Sequence, residues 1–131
     1  MFGSMRKSAA AYQQVAIDLS VESADPHKLI VMLFDGALVA VASARYAMEA
    51  GDIPAKGSSI SKAIDIITNG LHASLDIEQG GELAERLSAL YDYMASRLLW
   101  ANLKNDLSAL EEVQGLLNEL AGAWRQIAPK P

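Results

Sequence analysis

Asp25-Pro26-His27-Lys28-Leu29-Ile30-Val31-Met32-Leu33-Phe34-Asp35-Gly36-Ala37-Leu38-Val39-Ala40-Val41 is the stretch on which the fold turns. Asp25 is a natural N-cap, and Pro26 suits the first helical position, where its missing N–H costs nothing. Ile30, Leu33, Ala37, Val41, Ala44 and Met48 then recur at helical spacing and form one continuous apolar stripe. Phe34 and Leu38 widen that stripe, so the helix is expected to be covered on more than one side. Gly51-Asp52-Ile53-Pro54 ends it, and the polar stretch as far as Ser59 reads as a loop.

Three further segments carry the same period. Ile60, Ile64, Ile67, Leu71 and Leu75 share one face of the second; Ser61, Lys62, Asp65, Asn69, His72 and Asp76 share the other. Gly80-Gly81 marks the next break. A third segment, from about Glu82 to Lys104, has Leu83, Leu87, Leu90, Met94, Leu98 and Ala101 as its stripe. Asn105-Asp106 supplies a short turn and an N-cap. The fourth carries Leu110, Val113, Leu117, Leu120, Trp124 and Ile127, and stops at Pro129. Each stripe needs a facing stripe, and short connections favour antiparallel neighbours. The expected fold is all-α: one domain over 1–131, an antiparallel four-helix bundle at 25–128, with a cap segment at 1–24. In that segment Tyr12, Val15, Ala16 and Leu19 form a small apolar face, too short for a helix stable on its own in water.

Composition narrows the function. The chain has 131 residues, enough for one domain with a real core, and no cysteine, which excludes disulfides and thiolate metal sites. Its net charge is −5 with the basic residues scattered, giving no electrostatic footprint for nucleic acid. The N-terminus lacks the apolar core of a signal peptide, because Gln13, Gln14 and Asp18 interrupt it. The longest apolar run, Leu29 to Ala44, falls short of the roughly 20 residues a bilayer needs. Asp35 inside it would add about 2.5–3.5 kcal/mol to insertion. No membrane insertion and a cytoplasmic location are expected.

Catalytic patterns are missing. His27 and His72 have Ala24 and Asn69 three residues before them, not the Glu of a di-iron bundle motif. Glu111 and Glu112 are adjacent and diverge by about 100° around a helix, as a solvated face does. Gly80-Gly81 is a helix-ending turn and not a phosphate loop, and Gly57-Ser58-Ser59 lacks the setting of a nucleophile elbow. His72 lies on a polar face with Asp76 one turn later. Phosphotransfer bundles usually follow the histidine with Lys and Gly; here Ala73-Ser74-Leu75-Asp76 follows, and Asp76 would repel a phosphoryl group. The expectation is a non-enzyme without cofactor or metal. Among the aromatics, Trp124 reads as core, Tyr91 and Tyr93 fall on different faces of the third helix, and Trp100 lies off the Leu98/Ala101 seam.

Ala11-Tyr12, Ser23-Ala24-Asp25-Pro26, the run from Leu29 to Ala37, Gly51-Asp52 and Leu75-Asp76 occur in an order that is itself informative. So do Gly80-Gly81-Glu82-Leu83, Leu90-Tyr91-Asp92-Tyr93-Met94, Ala101-Asn102, Glu112-Val113 and Trp124. Together they resemble the flagellin export chaperones of the FliS family, over nearly the whole chain. That family typically has Tyr where Phe34 stands, so any polar contact of that hydroxyl is absent here.

The resemblance implies an antiparallel bundle that binds the disordered C-terminal segment of flagellin in the cytoplasm. It would prevent premature polymerisation and assist delivery to the flagellar export gate. Such a guest has an apolar face that needs temporary cover, and a helix-in-groove surface provides it. The ordering of the guest keeps binding reversible. Carried over from the family, Tyr12, with Val15 and Leu19 beside it, is expected to act as a removable cover and to contribute to export-gate contact. Tyr91 and Tyr93, of which at least one is expected to meet solvent or a partner, and Asn102, which either bonds guest backbone or caps a local turn, complete the expected partner-binding set. The free protein is expected to be a monomer or a homodimer. Two other readings are a bundle that mainly self-associates by exchanging its N-terminal segment, and a phosphotransfer module acting through His72.

Overall fold

The computed structural model describes residues 25–127, and all its regular structure is helical among those residues. Helix α1 spans Pro26–Ala50, α2 spans Ile53–Asp65, α3 spans Ile77–Lys104 and α4 spans Leu107–Gln126. Between α2 and α3 the chain continues as a π-helical turn, Ile66–Leu71, and a 3-10 turn, His72–Ser74. The widened turn leaves the Gly70 carbonyl to the Ser74 hydroxyl, which donates to it at 2.6 Å.

Two of the connections share one chemistry. Gly51 and Asn105 both take the left-handed conformation (φ 72° and 53°), and an aspartate follows each. The amides of Asp52 and Asp106 reach back five residues, to Ala47 O at 2.9 Å and Ala101 O at 3.0 Å, as in a Schellman motif. Each aspartate then caps the next helix: Asp52 accepts from the Ala55 amide, Asp106 from those of Ser108 and Ala109. The expected loop from Ile53 to Ser59 is therefore wrong. With Asp52 as cap and Pro54 in the first turn, these residues are the opening turns of α2, repeating the Asp25-Pro26 signature one helix later.

These two-residue turns make neighbours antiparallel, and cross-bundle contacts agree. The start of α1 meets the end of α4 through His27 and Trp124, and the start of α2 meets the end of α3 through Lys56 and Asn102. Helix α1 packs on α2 and α4, and α3 packs on the same two. The architecture is the expected antiparallel four-helix bundle.

The core lies along the four stripes. Leu33, Phe34, Ala37, Val41 and Ala44 of α1 face Ile60 and Ala63 of α2 and Ile67 of the π-helical turn. Met94, Leu98 and Ala101 of α3 and Leu110, Val113 and Leu117 of α4 close the interior. A fully buried aliphatic side chain of this kind stabilises the fold by about 1.5–3 kcal/mol. Helix α1 has 25 residues, most of them apolar. It is thus long and apolar enough to cross a membrane by length and composition, contrary to the shorter run read from sequence; packing on α2 and α4 buries part of that apolar surface.

Two stripe positions differ from expectation. Leu83 is 67 % exposed, and Ala84 takes its place inside. The cause is backbone: Gly81 sits at φ 55°, ψ −133°, so a single turn from Ile77 precedes the break, and the phase of α3 is set afresh after it. The series Ala84, Leu87, Tyr91, Met94, Leu98, Ala101 then runs inward at strict three-and-four spacing. Ile127, expected in the fourth stripe, lies past the end of α4 and is exposed.

Candidate functional site

Exposed apolar side chains collect on two surfaces. The first is a groove of about 550 Å³ between α1 and α2, lined by Val39, Ala42, Tyr46, Ala47, Ala50 and Ala55. Val39 and Tyr46 stand 65 % and 78 % exposed at its side, seven residues and two helical turns apart. Small alanines form the floor, so a guest side chain finds depth and apolar contact there. The second surface is the C-terminal half of α3, where Leu99, Trp100 and Leu103 are all exposed. Leu99 and Leu103 are one turn apart and form a single ridge. Sequence reading missed Val39, Tyr46, Leu99 and Leu103 as a surface. The usable signal was the apolar width of α1, which exceeded what one buried face requires.

The corner between α3 and α4 holds the second surface in place. Trp100 Nε1 donates to Asp106 Oδ2 at 3.2 Å, while the Lys104 ammonium lies 5.4 Å from the indole centroid. Asp106 is drawn below the ordinary carboxylate range, first by the Ser108 hydroxyl and then by Trp100 and the backbone amides. Lys56, the one buried charged side chain among the described residues, donates to Asn102 O at 3.2 Å and Asn105 Oδ1 at 3.0 Å.

The expected site residues do not gather into one patch. Tyr12, Val15 and Leu19 lie outside the described residues. Tyr91 is in the core, 4 % exposed, and burial pushes its hydroxyl up to about 12. Tyr93 faces solvent and donates to Glu112 Oε2 at 2.6 Å, with Arg97 on the other oxygen at 2.7 Å. Those two bonds, Tyr93 first, hold Glu112 below its usual value, and the same bond raises Tyr93. Asn102 is half-buried, and its engaged atom is the main-chain carbonyl.

At the opposite end, His27 stacks on Trp124 with ring centroids 5.4 Å apart and planes 10° from parallel. Each ring also bonds the other residue's backbone: His27 Nε2 lies 2.6 Å from Trp124 O, and Trp124 Nε1 donates to His27 O at 3.1 Å. Trp124 is half-buried and packs on the core as well as closing this end. It also forms one wall of an apolar hollow of about 300 Å³ with Leu75, Leu83 and Leu87. Phe34 is 2 % exposed, so its position is core. His72 Nε2 lies 2.8 Å from Ser88 Oγ and 3.5 Å from an Asp92 carboxylate oxygen. The carboxylate beside the histidine is thus Asp92 and not Asp76, which caps α3 by accepting from the Gln79 amide; Asp92 would repel a phosphoryl group there.

Residues 8–131 match the family described as "Flagellar protein FliS". The flagellar secretion chaperone FliS of Salmonella typhimurium is 60% identical over 120 residues, covering 92% of this chain and 89% of its own. That of Escherichia coli is 47% identical over 125 residues, with 95% and 92% covered. The flagellar secretion chaperone FliSB of Pseudomonas aeruginosa is 50% identical over 122 residues, with 93% and 96% covered.

Proposed function

The chain belongs to the FliS family of flagellar secretion chaperones, and from that premise we propose that it binds the disordered C-terminal segment of flagellin in the cytoplasm. The bound segment is kept from polymerising and is handed on to the flagellar export gate. One observation carries the reading: a small bundle leaves Val39, Tyr46, Leu99, Trp100 and Leu103 uncovered, on helices whose opposite faces fill its core. Apolar surface of that extent on separate helices suits a guest that wraps around the bundle as it folds. A wrapping guest gains area at both surfaces and loses it in steps, which allows release without one large barrier.

Within this reading Tyr12, Val15 and Leu19 form the removable cover and contribute to gate contact. Tyr93 and Asn102 flank the α3 surface, while Tyr91, buried in the core, is not available to the guest. The role is non-enzymatic, with no cofactor. Titration of the purified protein with the host's flagellin in a calorimeter tests the proposal. Saturable one-to-one heat with the full-length protein, lost when its C-terminal segment is removed, is the expected result. Heat that survives the truncation moves the guest site elsewhere in flagellin. No heat with either form sinks the reading and brings self-association forward.

A further inference from the structure

Lys56 is out of place by composition. An ammonium group almost never lies buried without a carboxylate, yet Lys56 is 5 % exposed and its partners are both neutral: Asn102 O and Asn105 Oδ1. Those partners explain it. Asn102 O is one of the carbonyls left over at the C-terminus of α3, where the aligned peptide dipoles leave partial negative charge. The Asn105 side chain is brought round by its left-handed backbone. The lysine therefore serves as the cap of a helix to which it does not belong.

We propose that Lys56 is a positioning residue for partner binding: its ammonium clamps the α3–α4 corner and thereby fixes the exposed Leu99/Trp100/Leu103 surface. The connection is short. Asn102 and Asn105 bracket Leu103, and Asp106, next in the chain, accepts from the Trp100 indole. The same turn is closed by the Asp106 amide on Ala101 O. Without the clamp Asn102 O loses its cross-helix partner, so the last turn of α3 opens more often. Leu103 and Trp100 then sample several positions, and a guest must pay the cost of ordering them. The positioning half of this inference rests on the flagellin reading; the clamp itself does not.

The test compares wild type, Lys56→Met and Lys56→Arg by amide hydrogen exchange and by calorimetric titration with full-length flagellin. Methionine keeps most of the buried stem and removes the charge. Loss of a charged hydrogen bond at a helix end accelerates exchange by roughly fivefold or more. In Lys56→Met that acceleration is expected between Asn102 and Ala109 and not in the middle of α1. Flagellin affinity is expected to fall by a similar factor, with both effects restored, at least in part, by Lys56→Arg. Asn105→Gly provides a second approach if the methionine variant fails to fold: glycine keeps the left-handed turn and deletes the 3.0 Å bond. Unchanged exchange in the corner overturns the clamp. Faster local exchange with unchanged affinity overturns the positioning role. Wild type that binds no flagellin removes the guest reading and the positioning role together, while the exchange data still decide the clamp.

Discussion

Where α1 begins and α4 finishes, the bundle is closed by rings. His27 stacks on Trp124, each bonds the other's backbone, and an apolar hollow lies behind them. Where α1 meets α2 and α3 meets α4, it is closed by polar groups: two left-handed residues, two aspartate caps and the buried ammonium of Lys56. The departures from regular helix, the π turn, the 3-10 turn and the break at Gly81, all fall at the ring end. The polar end places each helix by directional bonds at fixed angles. The ring end relies on area and shape, which tolerate backbone irregularity as long as the interior is filled.

Removing the ring closure is the severest break in this comparison. Trp124→Ala deletes the stack, one wall of the hollow and the bond to His27 O; large-to-small changes of an aromatic cost about 3–5 kcal/mol when fully buried. Trp124 is half-buried, so a loss of about 3 kcal/mol at the lower end is expected in urea unfolding. A loss below about 1 kcal/mol would mean that the ring end is closed mainly by other contacts.

A smaller effect is expected at the break itself. Gly81→Ala forces a Cβ onto φ 55°, ψ −133°, a region that side-chain-bearing residues avoid. Strain of this kind costs roughly 1–3 kcal/mol, which should lower the melting temperature by several degrees. An unchanged melting temperature, accompanied by slower amide exchange from Ile77 to Leu83, would show that the break heals into continuous helix. The irregularity at the ring end would then be optional.

The same contrast explains what the sequence made legible. Asn105-Asp106 announced its turn through residue chemistry alone, because a left-handed residue and a cap act within four positions of themselves. Gly51-Asp52-Ile53-Pro54 carried the same signal, and reading its proline only as a helix stop cost the first two turns of α2. The stripes of α1 and α4 were readable because burial follows period. The phase of α3 was not, since Gly81 resets it and Leu83 changes sides as a result. Nor was the π turn, whose widened bonding has no composition of its own. On the candidate site, sequence separated Tyr91 from Tyr93 by face; the three-and-four spacing of Leu87, Tyr91, Met94 and Leu98 marked Tyr91 as the inner one, a signal obscured by starting the stripe at Leu83. Lys56 was invisible as well: its partners lie 46 and 49 residues away, and one of them is a backbone carbonyl.

The mildest perturbation sharpens the polar end. Asp106 is held below its ordinary 3.8, first by the Ser108 hydroxyl, so its carboxyl is more acidic folded than unfolded. The sign follows from linkage: the stabilising contribution is complete above the unfolded value and is lost as pH falls through the folded one. Asparagine caps a helix about as well as aspartate but does not titrate in this range. Asp106→Asn should therefore unfold slightly more easily than wild type at pH 7, with the gap closing as pH falls below about 3.8. Urea unfolding of both proteins across that range measures the gap directly, and because the other carboxylates are common to both, their titration cancels in the difference. A gap of constant size would mean that the carboxylate acts only as a hydrogen-bond acceptor. Closure of the gap on acidification would assign part of the order at this end to charge, as the ammonium of Lys56 on the terminal carbonyls of α3 already suggests.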